Sequence, residues 1–130
     1  MQIVKLNFWG YTWEQFRLQI DYQQGILLVY RGFLDAEGFV RMKEIVYVDY
    51  SNIHELYHTP VMSSIKESIV SGEMLFFSLA EVDQEIANDV KALLVDAVKP
   101  MFNERVEVIN SKISIECIGN CDLLPHIINN

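Results

Sequence analysis

Two histidines stand four positions apart in the segment His54-Glu-Leu-Tyr-His58, which matches the pattern H-E-x-x-H. On a helix this spacing places both imidazoles on one face, where they can bind zinc while the glutamate acts as a general base. A zinc hydrolase also needs a third ligand, for which Glu81 and Asp83 are the candidates. Because Pro60 follows so closely, the predicted helix has barely two turns. The sequence therefore favours two histidines without a metal and keeps zinc as the alternative.

The other groups that could do chemistry form no recognisable site. Carboxylates recur between Asp83 and Asp96, but they fall on the polar sides of an amphipathic helix, which indicates a solvated face. Cys117 and Cys121 lack the second pair of ligands that a structural zinc site needs, so they are interpreted as two ordinary thiols. The sequence has no glycine-rich phosphate loop and no nucleophilic serine elbow. No cofactor is predicted.

The charge of the chain limits the partners it can have. Ten lysines and arginines against 18 aspartates and glutamates give a formal net charge of −8. Proteins that bind nucleic acids draw much of their affinity from basic side chains at phosphates, and the basic residues here form no run and no helix face. The sequence therefore argues against nucleic-acid binding. It also contains no apolar run near the roughly 18 residues of a membrane span, so we expect a cytoplasmic protein without a membrane association.

Strands are predicted wherever apolar residues alternate or form short dense runs. The runs at 26–30 and 45–50 are predicted to form an antiparallel hairpin with a long polar connection, and 112–118 is predicted as an edge strand. The full set of predicted strands is 3–8, 26–30, 45–50, 74–80 and 112–118.

Helices are predicted from apolar stripes and from capping residues. Thr12 and Gln15 form a capping box, Ser51 or Asn52 can cap the short helix that carries His54, and Pro60 should end that helix. The predicted helices are 12–20, 53–58, about 63–70 and the strongly amphipathic 83–98.

Length and composition predict one domain over residues 1–130, with a less defined strand and tail from about residue 104. The elements predict an α+β fold with a small central antiparallel sheet flanked by helices. An aromatic cluster near the N-terminus either covers this sheet or forms an interface with a second copy or another protein. Its members are Trp9, Tyr11, Trp13 and Phe16.

Three short segments stand in an order that resembles the GIY-YIG nuclease domain, in particular its small stand-alone members. They are Gly25-Ile-Leu-Leu-Val-Tyr-Arg-Gly32, Ile45-Val-Tyr-Val-Asp-Tyr-Ser-Asn-Ile53 and Lys99-Pro-Met-Phe-Asn103. The resemblance covers about residues 9–103. It implies hydrolysis of a phosphodiester by a tyrosine on each hairpin strand, an arginine on the next helix and a metal-binding glutamate on the long helix.

The hairpin keeps only one of the two tyrosines that the resemblance implies. The first tyrosine position falls on Leu27, which can neither donate nor accept a proton, whereas the second falls on Tyr47. The glycine of the second segment falls on Asp49, which adds a negative charge where an anionic substrate would approach. A tyrosine between two valines is typical of a packing residue, so we expect Tyr47 to serve the fold.

The helices depart from the family in the same way. The arginine position falls near His54 or Leu56, and the glutamate position falls on Lys91, which cannot bind a metal while protonated. Asn103 occupies the last position of the third segment, where we expect a turn former that bonds local backbone.

Together these positions predict a catalytically inactive GIY-YIG-like protein that acts as a binding or regulatory module, with a protein partner or a second copy of itself. The alternative is a metal-dependent hydrolase. It would be a nuclease with a shifted active site, or a zinc hydrolase using His54 and His58 with Glu81.

Overall fold

The computed structural model describes residues 2–10, 12, 23–105 and 112–129. In that part of the chain the fold is α+β, as predicted. The predicted helix at 12–20 and the aromatic residues Tyr11, Trp13 and Phe16 lie outside the described residues. The strands are β1 (Gln2–Phe8), β2 (Gln24–Leu34), β3 (Val40–Asn52), β4 (Met74–Ala80), β5 (Ile113–Gly119) and β6 (Ile127–Asn129). The helices are α1 (Ile53–Tyr57), α2 (Pro60–Ser68) and α3 (Ala87–Val98), with a 3-10 turn at Gln84–Ile86.

The strands form two three-stranded sheets, so the prediction of one central sheet was wrong. The first sheet is antiparallel with the order β3-β2-β4, and the second has the order β1-β5-β6 with β1 parallel to β5. Among the described residues, one backbone bridge joins the sheets, where Trp9 and Leu79 exchange two hydrogen bonds of 3.0 Å. The parallel pairing of β1 with β5 joins segments far apart in the chain, which local patterning cannot predict.

β5 is a central strand, which corrects its prediction as an edge strand. It lies between β1 and β6, and its residues Ile113, Ile115 and Cys117 are buried on one face. Edge and central strands of a half-buried sheet share the same alternation, so the sequence pattern does not distinguish them.

The hairpin of β2 and β3 is longer than predicted, and its connection is only five residues long. Asp35, Glu37 and Gly38, which indicated a polar loop, do lie in the connection. Arg31 and Glu44, which lie between the predicted strands, belong to β2 and β3 and pair across the hairpin. The loop itself is folded around Asp35, whose carboxylate accepts hydrogen bonds from the backbone N–H groups of Glu37 and Phe39. Cross-strand ion pairs thus extend a hairpin whose apolar runs are short.

β2 is buried on both faces because the first sheet separates two hydrophobic cores. Ile26 and Leu28 face a core shared with α3 and the second sheet, whereas Leu27 and Val29 face a core shared with α1 and α2. This double burial explains the continuous apolar run at 26–30.

Capping residues mark where the two short helices, α1 and α2, begin. Asn52 caps α1 as predicted, since its side chain accepts a hydrogen bond of 2.9 Å from the Glu55 backbone N–H. α1 ends at Tyr57, and Thr59 is extended, as expected for the residue before Pro60. Pro60 also opens α2, with Thr59 as its cap, so α2 begins three residues before the predicted start at Ser63. Among the described residues no helix has the length and apolar character needed to cross a membrane.

The turn after α3 covers the outer edge of β3. Phe102 donates a backbone hydrogen bond of 3.0 Å to the Val46 carbonyl. The Asn103 side chain accepts from the Val48 N–H and donates to the Val48 carbonyl, both at 2.8 Å. The prediction that Asn103 bonds local backbone was therefore wrong, because its partner lies 55 positions away. An amide matches both polar groups of one strand residue and closes that edge.

Replacing Asn103 by alanine should lower the free energy of unfolding by about 2 kcal/mol, because both Val48 backbone groups lose their partner. Urea denaturation followed by circular dichroism measures this. Asn88→Ala is the matched control, since Asn88 is exposed on α3 and its loss should change stability by less than about 0.5 kcal/mol. Equal effects of the two variants would mean that Asn103 does not hold the edge of β3.

Candidate functional site

The hairpin residues that the resemblance singled out lie beside one another on the first sheet. Leu27 of β2 and Asp49 of β3 are direct cross-strand partners, and Val29 and Tyr47 form a neighbouring pair. Leu27 is fully buried in the core that α1 and α2 share. A side chain at that position cannot reach a substrate in solution.

Asp49 and Lys91 form an ion pair between β3 and α3. The Lys91 Nζ lies 3.0 Å from the Asp49 Oδ1, and the two side chains are 30% and 24% exposed. The same carboxylate oxygen accepts a hydrogen bond of 2.9 Å from the Tyr50 backbone N–H. The two charges at positions marked by the resemblance therefore offset each other.

Tyr47 is partly buried and packs against the core formed with α1 and α2. Burial raises the pKa of its phenol above the ordinary value, and the nearby Asp49 carboxylate raises that pKa further. A general base or nucleophile needs a pKa shifted towards neutrality. The surroundings of Tyr47 therefore disfavour the phenolate.

The two candidate arginine positions differ in accessibility. Leu56 is buried in the core, so a side chain there serves packing. His54 is partly exposed and lines a shallow cleft of about 500 Å³ together with Asn52, Glu55 and His58. Of the two positions, His54 alone borders this cleft.

The zinc hypothesis meets a different geometry from the one the motif predicts. α1 ends at Tyr57, and His58 follows it as the C-cap residue, so the helix has only about a turn and a half, although both histidines line the same cleft. Glu81 lies in another cleft beside β1, where Gln23 donates a hydrogen bond to its carboxylate. Over residues 2–10, 12, 23–105 and 112–129, no three His, Cys, Asp or Glu side chains are grouped so that they could hold a metal ion.

Both cysteines are free thiols, in agreement with the sequence analysis. Burial raises the pKa of Cys117 to about 12, with a smaller contribution from the neighbouring Cys121. Burial also raises the pKa of Cys121. Since the thiolate is the reactive form, neither residue is suited to nucleophilic catalysis near neutral pH.

The pairing of Asp49 with Lys91 was not predicted, although the sequence contained a signal for it. Two residues of opposite charge, Asp49 and Lys91, fall at two positions of the one site that the resemblance implies. Charges of opposite sign at neighbouring positions are expected to pair when both are partly buried. The backbone edge of β1 beside Glu81 was also missed, because free hydrogen-bonding groups leave no mark in the sequence.

Comparisons of the chain with protein-family models, with curated proteins and with solved structures find no match.

Proposed function

We propose that this chain is a catalytically inactive relative of the GIY-YIG nucleases that acts as a binding or regulatory module in the cytoplasm. The observation that carries the proposal is the Asp49–Lys91 ion pair next to the fully buried Leu27. These three residues stand where the resemblance implies a glycine, a metal-binding glutamate and a tyrosine.

Each of the three residues removes one requirement of phosphodiester hydrolysis. Leu27 has no group that can transfer a proton, and Lys91 offers an ammonium in place of a carboxylate ligand. Asp49 holds that ammonium at 3.0 Å and offsets the positive charge that Lys91 could offer to a bound phosphate. Without proton transfer, metal and anion stabilisation, the arrangement lacks the means to cleave DNA or RNA.

The order of elements supports the likeness to a nuclease fold. The hairpin β2–β3 is followed by α1, α2, β4 and α3, and then by the segment that ends at Asn103. This is the order in which the resemblance arranges its three segments. Gly25 and Asn103 match segments of the resemblance, and both serve the fold. Gly25 leaves room for the backbone of β4, and Asn103 bonds the edge of β3.

The dissociation constant for random duplex DNA should exceed about 10⁻⁴ M at physiological salt, which is weaker than the usual range for non-specific binders. The chain has a net charge of −8, and Lys91 forms an ion pair with Asp49. Fluorescence anisotropy with a labelled duplex measures the dissociation constant over a series of salt concentrations.

Lys91→Glu is the informative variant in this assay. If the proposal holds, the wild-type protein and this variant behave alike, and neither binds duplex. Micromolar binding by the wild type that weakens steeply with salt and disappears in Lys91→Glu would show that the groove still recognises phosphate.

A further inference from the structure

The two sheets diverge on one side of their junction and leave a slot along β1. From the Trp9–Leu79 bridge, an antiparallel continuation of β4 would place Glu81 opposite Asn7 and Asp83 opposite Lys5. The chain instead leaves the sheet after Ala80. We call the resulting space the β1 slot, bounded by residues 2–9 on one side and 81–86 on the other.

The β1 slot is a continuous groove. Two adjoining clefts, of about 500 Å³ and 410 Å³, run along it and share Lys5 and Glu81 in their linings. Val4, Val82 and Ile86 supply apolar surface to the larger cleft, whereas Lys5, Glu81 and Asp83 are exposed.

The backbone of β1 offers unpaired hydrogen-bonding groups to this slot. Gln2 donates to the Lys112 carbonyl and Phe8 accepts from the Asn120 N–H, so the even-numbered residues of β1 face β5. Backbone groups of alternate residues point to opposite edges of a strand. Those of Ile3, Lys5 and Asn7 therefore point into the slot, on the side where Trp9 bonds Leu79. Within the described residues, no strand pairs with that edge.

A free edge of this kind is a template for an added strand. The half-buried Val82 and Ile86, which line the cleft opposite β1, suit apolar side chains at alternate positions of such a strand. The exposed wall carries Glu81 and Asp83 against the single positive charge of Lys5, which favours lysine or arginine at the positions between them. A second copy of this chain is disfavoured, because it would bring another net charge of −8.

We infer that the β1 slot binds an extended segment of a partner protein as an added strand on β1, with alternating apolar and basic residues. The inference gives the proposed binding module a partner class at a surface separate from the Asp49–Lys91 pair. Its test and the DNA assays are independent, since peptide binding can fail while the protein remains inactive towards DNA.

The first experiment uses a fluorescein-labelled heptapeptide of alternating valine and lysine, titrated with the full chain. A dissociation constant below about 1 mM is expected, with weaker binding at higher salt. The matched peptide of valine and glutamate should bind at least about tenfold more weakly, because it faces Glu81 and Asp83. Equal binding of the two peptides, or binding of neither, overturns the inference.

Lys5→Pro tests whether the backbone is recognised. Proline removes the N–H that points into the slot and leaves the N–H groups that bond β5, so the strand should still form. Binding of the valine–lysine peptide should weaken at least about tenfold in Lys5→Pro, and by less than about threefold in Lys5→Ala, which keeps the N–H. Equal affinities of the two variants contradict strand addition.

Hydrogen exchange of the wild-type protein gives a readout that does not depend on any variant folding. Addition of the valine–lysine peptide should slow exchange at the amides of Ile3, Lys5 and Asn7. It should leave Val4 and Leu6 unchanged, since their amides already face β5. Uniform slowing along β1, or no slowing, would show that the peptide does not add to this edge.

Discussion

Gly25→Ala is expected to lower the free energy of unfolding by about 3 kcal/mol or more. A Cβ at this position would lie 2.3 Å from the Ala80 carbonyl oxygen and 2.9 Å from the Leu79 Cδ1. The nearer atom belongs to the backbone of the neighbouring strand β4, so it cannot move aside without breaking the pairing of β2 with β4. Thermal and urea denaturation of purified protein, together with the soluble yield, measure the effect.

Gly38→Ala is the control for this experiment. Gly38 lies in the hairpin loop with φ of +85°, and an added Cβ would meet nothing within 4 Å. The variant should therefore lower the free energy of unfolding by only about 1 kcal/mol, because alanine disfavours the left-handed backbone conformation. If Gly25→Ala were no more destabilising than Gly38→Ala, close approach of β2 and β4 could not explain why a glycine stands at position 25.

Leu27→Tyr restores the residue that the resemblance implies, and we expect it to destabilise the protein by about 3 kcal/mol without conferring nuclease activity. Leu27 is fully buried, so a tyrosine would overfill the core around Ile53 and Leu56 and would bury a hydroxyl group there. Lys91 would still replace the metal ligand. Urea denaturation and a plasmid-nicking assay measure the two halves of this prediction.

Leu27→Met provides the comparison of similar volume and should cost less than about 1.5 kcal/mol. The interpretation of Leu27 as a core residue that excludes a catalytic group fails if Leu27→Tyr is as stable as Leu27→Met. It also fails if the tyrosine variant gains metal-dependent nicking.

Local features of the fold were predictable from the residues that cause them. Asn52 was one of the two candidate caps, because its side chain can accept from the first turn. Val90, Leu93 and Leu94 of the predicted apolar stripe on α3 are buried, whereas Ala97 of the same stripe is exposed. The apolar run at 26–30 correctly indicated a buried strand within a hairpin. Each of these signals depends on neighbours within a few positions.

The features that were not predicted depend on contacts between residues far apart in the chain. The pairing of β1 with β5, the bond from Asn103 to Val48 and the bridge from Trp9 to Leu79 have no local signature. The candidate site shows the same difference between local and long-range features. That Leu27 and Lys91 differ from the side chains the resemblance implies was evident from residue types, whereas the contact of Lys91 with Asp49 required the packing of α3 on β3.

Nicking of supercoiled plasmid is the most direct test of the central claim that this chain is not a nuclease. Highly purified wild-type protein, with magnesium or manganese, should convert no more plasmid to the open circular form than buffer does. Tyr47→Phe should be indistinguishable from the wild type, because Tyr47 packs against the core and its pKa is raised. Metal-dependent nicking by the wild-type protein that Tyr47→Phe abolishes would contradict the claim.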